Sequence, residues 1–223
     1  MTGFADLFAQ SFISGDAEPL ASLLLHRSQL EDGLHLHIGA SAIAAETVML
    51  AAHFEDRSAT ATAVGDRFAA LTLVGTAQSL FGHRFECAVR LTFTRHVWIE
   101  AEGDYALRLT AITDWAGLAT AAGLDLASLA AVLGARFPTH RPLGELASGQ
   151  GQLAASLVPL ALRCRVPDAH ITPDTSAGPA SLSRLQGHIA GRRISLPLSR
   201  HGDAMLLDNL ALAATAHRPF YPD

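Results

Sequence analysis

Residues 107–126 read LRLTAITDWAGLATAAGLDL. Up to Thr113 the stretch alternates and is rich in apolar and β-branched residues, the pattern of a half-buried strand. From Trp115 to Ala122 the small and apolar residues fit a short helix. Asp114 stands at the join. There its carboxylate can accept the free N–H groups of the helix's first turn, or act as an acid or base if it faces a pocket. Because Asp114 directly precedes WAGL, a helix cap is the preferred reading and catalysis the second choice.

Working outward, EGD (Glu102–Asp104) is a turn, so a long strand from about His83 to Ala101 pairs with Tyr105–Thr113. Upstream, SATATA, the turn VGD and RFAALTLVGTA read as another hairpin. Three helices precede it. Residues 3–14 carry Phe4, Leu7, Phe8 and Phe12 at helical spacing. Ala17–Leu25 is capped by Asp16, with Pro19 in its first turn. The third runs from about Ser41 to Phe54, with Ile43, Thr47, Leu50 and Phe54 on one face. Between the second and third helices, HRSQLEDG reads as a polar loop and LHLHIG as a short strand. Helices followed by a curled antiparallel sheet make an α+β domain over residues 1–124.

Residues 125–223 form a smaller, mixed extension. Asp125–Leu133, Gln152–Arg163 and Leu182–Ile189 read as helical, ARFPTHRPLGEL as a linker, TPDTSAGP as a loop, and RRISLPL and AMLLDNLALAA as strands. VGDRFAALTLVGTA (Val64–Ala77) echoes HGDAMLLDNLALAA (His201–Ala214). The extension is therefore either a truncated, degenerate second copy of the first domain or a unit that packs on it or builds a dimer.

Composition narrows the function. The chain has 223 residues, 49% hydrophobic and 17% charged, with a net charge of −5. That balance argues for a globular protein and against nucleic acid or anionic membrane as partners. The sequence has no apolar run long enough to span a bilayer and no visible secretory leader. Cys87 and Cys164 fit no metal or redox spacing, so a cytoplasmic location with two ordinary buried thiols is expected. His35 and His37 share one strand face, but no third ligand is evident and no metal is expected. SGQG (Ser148–Gly151) lacks the Gly-Lys-Ser/Thr of a phosphate loop, and no nucleophile elbow appears.

Several motifs share an order. FAQSFISGDAEPLASLL resembles the opening helix, Gly-Asp break and second helix of the nuclear transport factor 2-like superfamily, in its SnoaL-like and ketosteroid isomerase-like branch. HIGASAI resembles the glycine that starts that group's third helix. DWAGLATAAG resembles its closing pattern of Asp, two residues, Gly-Leu and a later Gly; where the family usually has Gln two residues before that Gly, this chain has Ala121. The resemblance covers residues 1–124. It implies a cone-shaped curved sheet wrapped on the N-terminal helices around an apolar pocket, and a homodimer. The group holds isomerases, polyketide cyclases, epoxide hydrolases and non-enzymatic binders, so fold does not settle function.

If the main hairpin turns at Gly103–Asp104, Thr113 faces Thr94, Ala111 faces His96 and Leu109 faces Trp98. Thr94, His96, Trp98, Tyr105, Leu107, Leu109 and Thr113 then share one face, and Arg95, Arg108 and Asp114 the other. The resemblance assigns the first of these faces to the pocket, where His, Trp and Tyr on an apolar wall suit a flat hydrophobic ligand. Asp32 of LEDG matches the position of the isomerases' base, a carboxylate that moves a proton between carbons. Phe8 stands where those isomerases use a Tyr to bind an oxyanion, and no carboxylic acid occupies the sheet position near Thr94–His96. His96 is left as the one donor. The epoxide hydrolases need an Arg between two carboxylates, and both Arg95 and Arg108 are assigned outside.

Two functions follow. One is an enzyme that binds a small hydrophobic carbonyl compound and isomerises or cyclises it without a cofactor. Asp32 is its base, His96 a proton donor, Asp114 a second-choice acid/base, and Phe8, Thr94, Trp98, Tyr105, Leu109 and Thr113 line its pocket. The alternative is a non-catalytic ligand-binding or assembly protein.

Overall fold

Along the chain, the computed structural model places α1 (Phe4–Ser14), α2 (Glu18–Ala21), β1 (Leu24–Glu31), β2 (Leu36–Ile38), α3 (Ala40–Ala51), β3 (Glu55–Val64), β4 (Phe68–Ala77), β5 (Ser79–Leu80), β6 (His83–Arg84), β7 (Leu91–Glu102), β8 (Tyr105–Thr113) and α4 (Trp115–Ala121). There follow β9 (Gly151–Gln152), β10 (His170–Ala177), β11 (Ala180–Ile189), β12 (Arg192–His201) and β13 (Ala204–Leu207). The structure describes residues 3–32, 36–64, 67–77, 79–80, 83–84, 91–121, 123, 151–152, 170–177, 180–189, 192–201 and 204–207. Both cysteines, His35, the segments 125–133 and 135–146, and most of 152–163 lie outside these.

The first half is α+β, a large curved sheet with helices on one face. Its strand order is β2-β1-β8-β7-β4-β3, antiparallel except that β1 runs parallel to β8. In α1, Ala5, Phe8 and Phe12 fall on one buried stripe, and Gly15 ends the helix in the left-handed region at φ 76°, a conformation that costs glycine least. The second helix is shorter than its sequence suggests. Asp16 Oδ1 accepts the Glu18 N–H at 3.0 Å, but the helix stops at Ala21 and the expected polar loop is strand β1. Ser28 explains how so polar a stretch pairs. Its hydroxyl donates to the Ala106 carbonyl at 2.5 Å and accepts the Leu25 N–H at 2.8 Å, spanning the irregularity between Leu24 and Gln29 in the β1–β8 register.

Helix α1 packs on β3 and β4, α3 on β1 and β2, and α4 on β7. Phe12, Leu20, Leu30, Ile43, Phe93 and Leu109 are fully buried in this inner core, and Phe54 stacks on Phe93 with ring centroids 4.1 Å apart. Burying each such side chain stabilises the fold by roughly 1.5–3 kcal/mol.

The main hairpin corrects the expected faces. Its turn lies where expected, with Glu102 opposite Tyr105 and Ala101 opposite Ala106, but Glu100 pairs with Arg108. Leu107 is thus an extra residue in β8, a β-bulge. Beyond it every pair is shifted by one: Arg95 faces Thr113, Val97 faces Ala111 and His96 faces Ile112. A one-residue shift exchanges the faces of one strand relative to its neighbour. Leu109, Ala111 and Thr113 therefore share the inner face with Phe93, Arg95, Val97 and Ile99, whereas His96 and Trp98 lie on the outer face.

A second, five-stranded sheet covers that outer face, in the order β10-β11-β12-β13-β9. Two expectations fail here. Leu182–Ile189 is strand rather than helix, and most of TPDTSAGP belongs to β10 rather than a loop. Leu182 and Leu185, three apart, suggest a helical stripe, but in the strand they face opposite ways. Leu182 and Ala180 pack with Leu206 on Ala70, Trp98 and Ile112 of the first sheet. Of the internal echo, residues 202–203 and 208–214 lie outside the described part. No helix among the described residues is long and apolar enough to cross a membrane.

Candidate functional site

Four ionisable side chains meet on the inner side of the first sheet. Asp32 follows β1, and since Leu30 points into the core, Asp32 does too. His37 of β2 pairs across from Leu30. Glu46 is brought in by α3, on the buried side with Ile43, Thr47 and Leu50. Arg95 projects from the inner face of β7. His37 Nε2 lies 3.4 Å from Asp32 Oδ2, and Arg95 Nη1 donates to Glu46 Oε1 at 2.9 Å. One oxygen each from Asp32 and Glu46 and one ring nitrogen of His37 lie within 4.8 Å of one another. The Arg95 and Glu46 side chains are only 5% and 8% exposed.

The electrostatics follow from this packing. Burial by itself lowers the pKa of His37. The hydrogen bond and charge of Asp32, reinforced by Glu46 and opposed by Arg95, outweigh it and raise the pKa above the ordinary 6.5. With His37 protonated, two cations face two anions and the cluster is neutral. Arg95 Nε is buried with no hydrogen-bond acceptor among the described residues, a costly state for a charged donor. The spacing of Asp32, His37 and Glu46 could hold a cation, but the Arg95 guanidinium already engages Glu46 and opposes another positive charge. The set is better suited to moving a proton beside an oxygen that Arg95 can bind.

Of the residues singled out from sequence, Asp32 belongs to this cluster. Phe8 and Leu109 are buried in the same inner core, and Thr113 is buried opposite Arg95. His96, Trp98 and Tyr105 are not brought together with Asp32. Tyr105 is exposed beside the turn. The half-buried Thr94 shares the alternation of His96 and Trp98, and its carbonyl accepts the Asp114 N–H at 2.8 Å. Trp98 Nε1 donates to Ser199 Oγ at 2.8 Å, and His96 Nδ1 lies 3.2 Å from the same oxygen. His96 also stacks on His201, centroids 3.9 Å apart. Burial, with His201 beside it, pushes His96 down to about 3, and burial pushes His201 down to about 4. Both rings are neutral packing groups at the joint between sheets.

Asp114 answers the question its position raises. Its Oδ1 accepts the Gly117 N–H at 2.8 Å, and its carbonyl accepts the Leu118 N–H at 3.1 Å. It caps α4. A Cβ at position 117 would collide with the Asp114 carboxylate, which is why Asp-Trp-Ala is followed by Gly.

Glu46 and the inward Arg95 escape the sequence reading. A signal for Glu46 exists: it lies three residues after Ile43 and four before Leu50, an acid inside an apolar helical stripe. Arg95 is placed outside by the assumed register, and the bulge at Leu107 has no marker of its own.

No family model matches the sequence, and no curated protein does. Solved structures similar to the first half include a hypothetical protein with a ketosteroid isomerase-like fold from Catenulispora acidiphila, in complex with trimethylamine. It is 13% identical over 55% of this chain and 93% of its own, with a TM-score of 0.44. A SnoaL-like polyketide cyclase from Agrobacterium tumefaciens is 19% identical over 54% of this chain and 98% of its own, with a TM-score of 0.41. TsrD from Streptomyces laurentii is 19% identical over 54% of this chain and 92% of its own, with a TM-score of 0.44. About half of the chain is thus similar in structure to ketosteroid isomerase-like and SnoaL-like polyketide cyclase proteins.

Proposed function

We propose that the inner cluster is a proton-transfer site for a small, hydrophobic, neutral carbonyl compound. The observation that carries this is Arg95 Nε, a buried charged donor without an acceptor among the described residues, close to His37 and its partner Asp32 at the edge of the apolar core. In the reaction, the Asp32 carboxylate takes a proton from the carbon next to the carbonyl. The C–H electrons form the new C=C bond, and the carbonyl electrons move onto oxygen. Arg95 Nε–H then donates to that enolate oxygen. In a substrate with a neighbouring C=C the enolate is conjugated and protonated Asp32 returns its proton to the γ carbon, giving an isomer. Alternatively the enolate carbon attacks a second carbonyl and Asp32 gives its proton to the alkoxide so formed, giving a ring. His37 orients Asp32, and Glu46 holds the guanidinium. The self-neutralised cluster favours an uncharged substrate over an acid or phosphate.

Exchange in D2O tests the first step without knowledge of the product. Steroid, anthraquinone-like and terpenoid ketones are incubated with the protein, and deuterium uptake at the α carbon is followed by mass spectrometry. The expected result is uptake with the wild type that falls roughly 10²–10⁴-fold in Asp32→Asn. Equal uptake in Asp32→Asn would remove Asp32 as the base. Binding of a ketone without any uptake would favour the second reading, a non-catalytic ligand-binding protein, which Phe8 in place of a hydroxyl donor supports.

A further inference from the structure

We propose that Arg184, in the second sheet, is a positioning residue for Asp32, so that the C-terminal sheet supports the site in the first domain. The inference rests on the reading of Asp32 given above. Arg184 Nη2 donates to Glu31 Oε2 at 2.8 Å, and Nη1 lies 3.5 Å from Glu31 Oε1. The planar guanidinium grips both oxygens of the carboxylate, a pairing that fixes orientation as well as distance. Both side chains are partly shielded, 26% and 31% exposed, so water competes less than at an open surface.

The two ends of this contact are unequal. Arg184 sits on a central strand, paired with Thr172 of β10 and Pro197 of β12. Glu31 is the last residue of β1, where the registers with β2 and β8 both end, opposite Leu36 and Thr110. Asp32 comes next and points to the opposite face. The clamp from outside therefore holds the residue from which the inner carboxylate hangs, at the place where the strand ladder stops holding it. A small swing of Glu31 would change the 3.4 Å separation of Asp32 and His37.

NMR titration of the His37 ring in the full-length protein tests this, with Asp32→Asn, Arg184→Gln and Arg184→Lys compared with the wild type. Removing the Arg184 cation would by charge alone raise the His37 pKa. A displaced Asp32 would lower it, and the groups that face His37, namely Asp32, Glu46 and Arg95, are otherwise intact. The expected result is a fall of about half a pH unit or more in Arg184→Gln, with Arg184→Lys falling between it and the wild type. Arg184→Lys keeps the charge and much of the stem and serves alone if the Gln variant does not fold. A His37 titration that is unchanged or raised in folded Arg184 variants, while Asp32→Asn lowers it, would overturn the positioning role and leave the Asp32 reading standing. No change in Asp32→Asn would overturn both.

Discussion

Arg95 and Glu46 form a pair that neither residue can leave cheaply. Both are buried, and removing one partner strands the other's charge. Glu46→Ala is expected to cost about 3 kcal/mol or more in urea unfolding, and Arg95→Met a similar amount. The double variant Glu46→Leu/Arg95→Met should lie much nearer the wild type than either single change, since it removes both charges from the core. Additive losses would mean that the two do not act as a pair. Cap and glycine at α4 are coupled in another way. Asp114→Ala should lower stability by about 1 kcal/mol, and Gly117→Ala by roughly 1–3 kcal/mol through the clash with Asp114. In thermal melts, adding Asp114→Ala to Gly117→Ala should cost less than it does in the wild type. At this scale the Asp114 cap was legible, because it is marked by its immediate neighbours, whereas Asp32 is singled out only through the family resemblance. Arg95 was not, because its partner comes from a helix 49 residues away.

The strand β7 carries two interiors. Its inner side holds Phe93, Arg95, Val97 and Ile99, and its outer side holds His96 and Trp98 under the second sheet. At the outer joint Ser199 Oγ partners both the Trp98 N–H and the His96 ring. Ser199→Ala leaves the buried Trp98 N–H without its acceptor and should cost roughly 1–3 kcal/mol. Trp98→Phe removes donor and bond together, so the double variant should lose less than the sum of the single changes. Chemical denaturation of the four proteins gives the coupling. The alternation in β7 and β8 was plain in the sequence. Their relative phase was not, since Leu107 looks like any other strand residue and only the pairing shows it to be extra.

Over the whole molecule, the two sheets join through histidines that must stay neutral. His96 and His201 have folded pKa values of about 3 and about 4, below the ordinary 6.5. The unfolded chain therefore binds these protons more readily. The associated stability is present above pH 6.5 and is lost as pH falls from there toward 4 and then 3, by up to about 1.4 kcal/mol per pH unit for each ring. His37 has the opposite sign: its contribution is complete below pH 6.5 and is lost as pH rises through its raised folded value. Denaturation midpoints compared between pH 5 and 6.5, and between pH 6.5 and 9, separate the two windows. His96→Asn/His201→Asn should flatten the acid-side loss, and an unchanged slope would assign that loss to other groups.

The sequence by itself determined the α+β class of the first half, the Gly103–Asp104 turn and the Asp114 cap. These follow from local rules: periodicity, capping and turn chemistry act over a few residues. The candidacy of Asp32 comes from the family resemblance, and the residues of strand β1 read as a loop. Tertiary structure decided which face of the hairpin looks inward, that residues 170–207 include a second sheet, and that Glu46 and Arg95 join Asp32 and His37. The reason is burial on both sides. Alternation divides a strand into two faces, but where each face is covered, one by helices and the other by a distant sheet, apolar and aromatic residues appear on both. Inside and outside are then set by pairing register and by long-range packing, which no local pattern records.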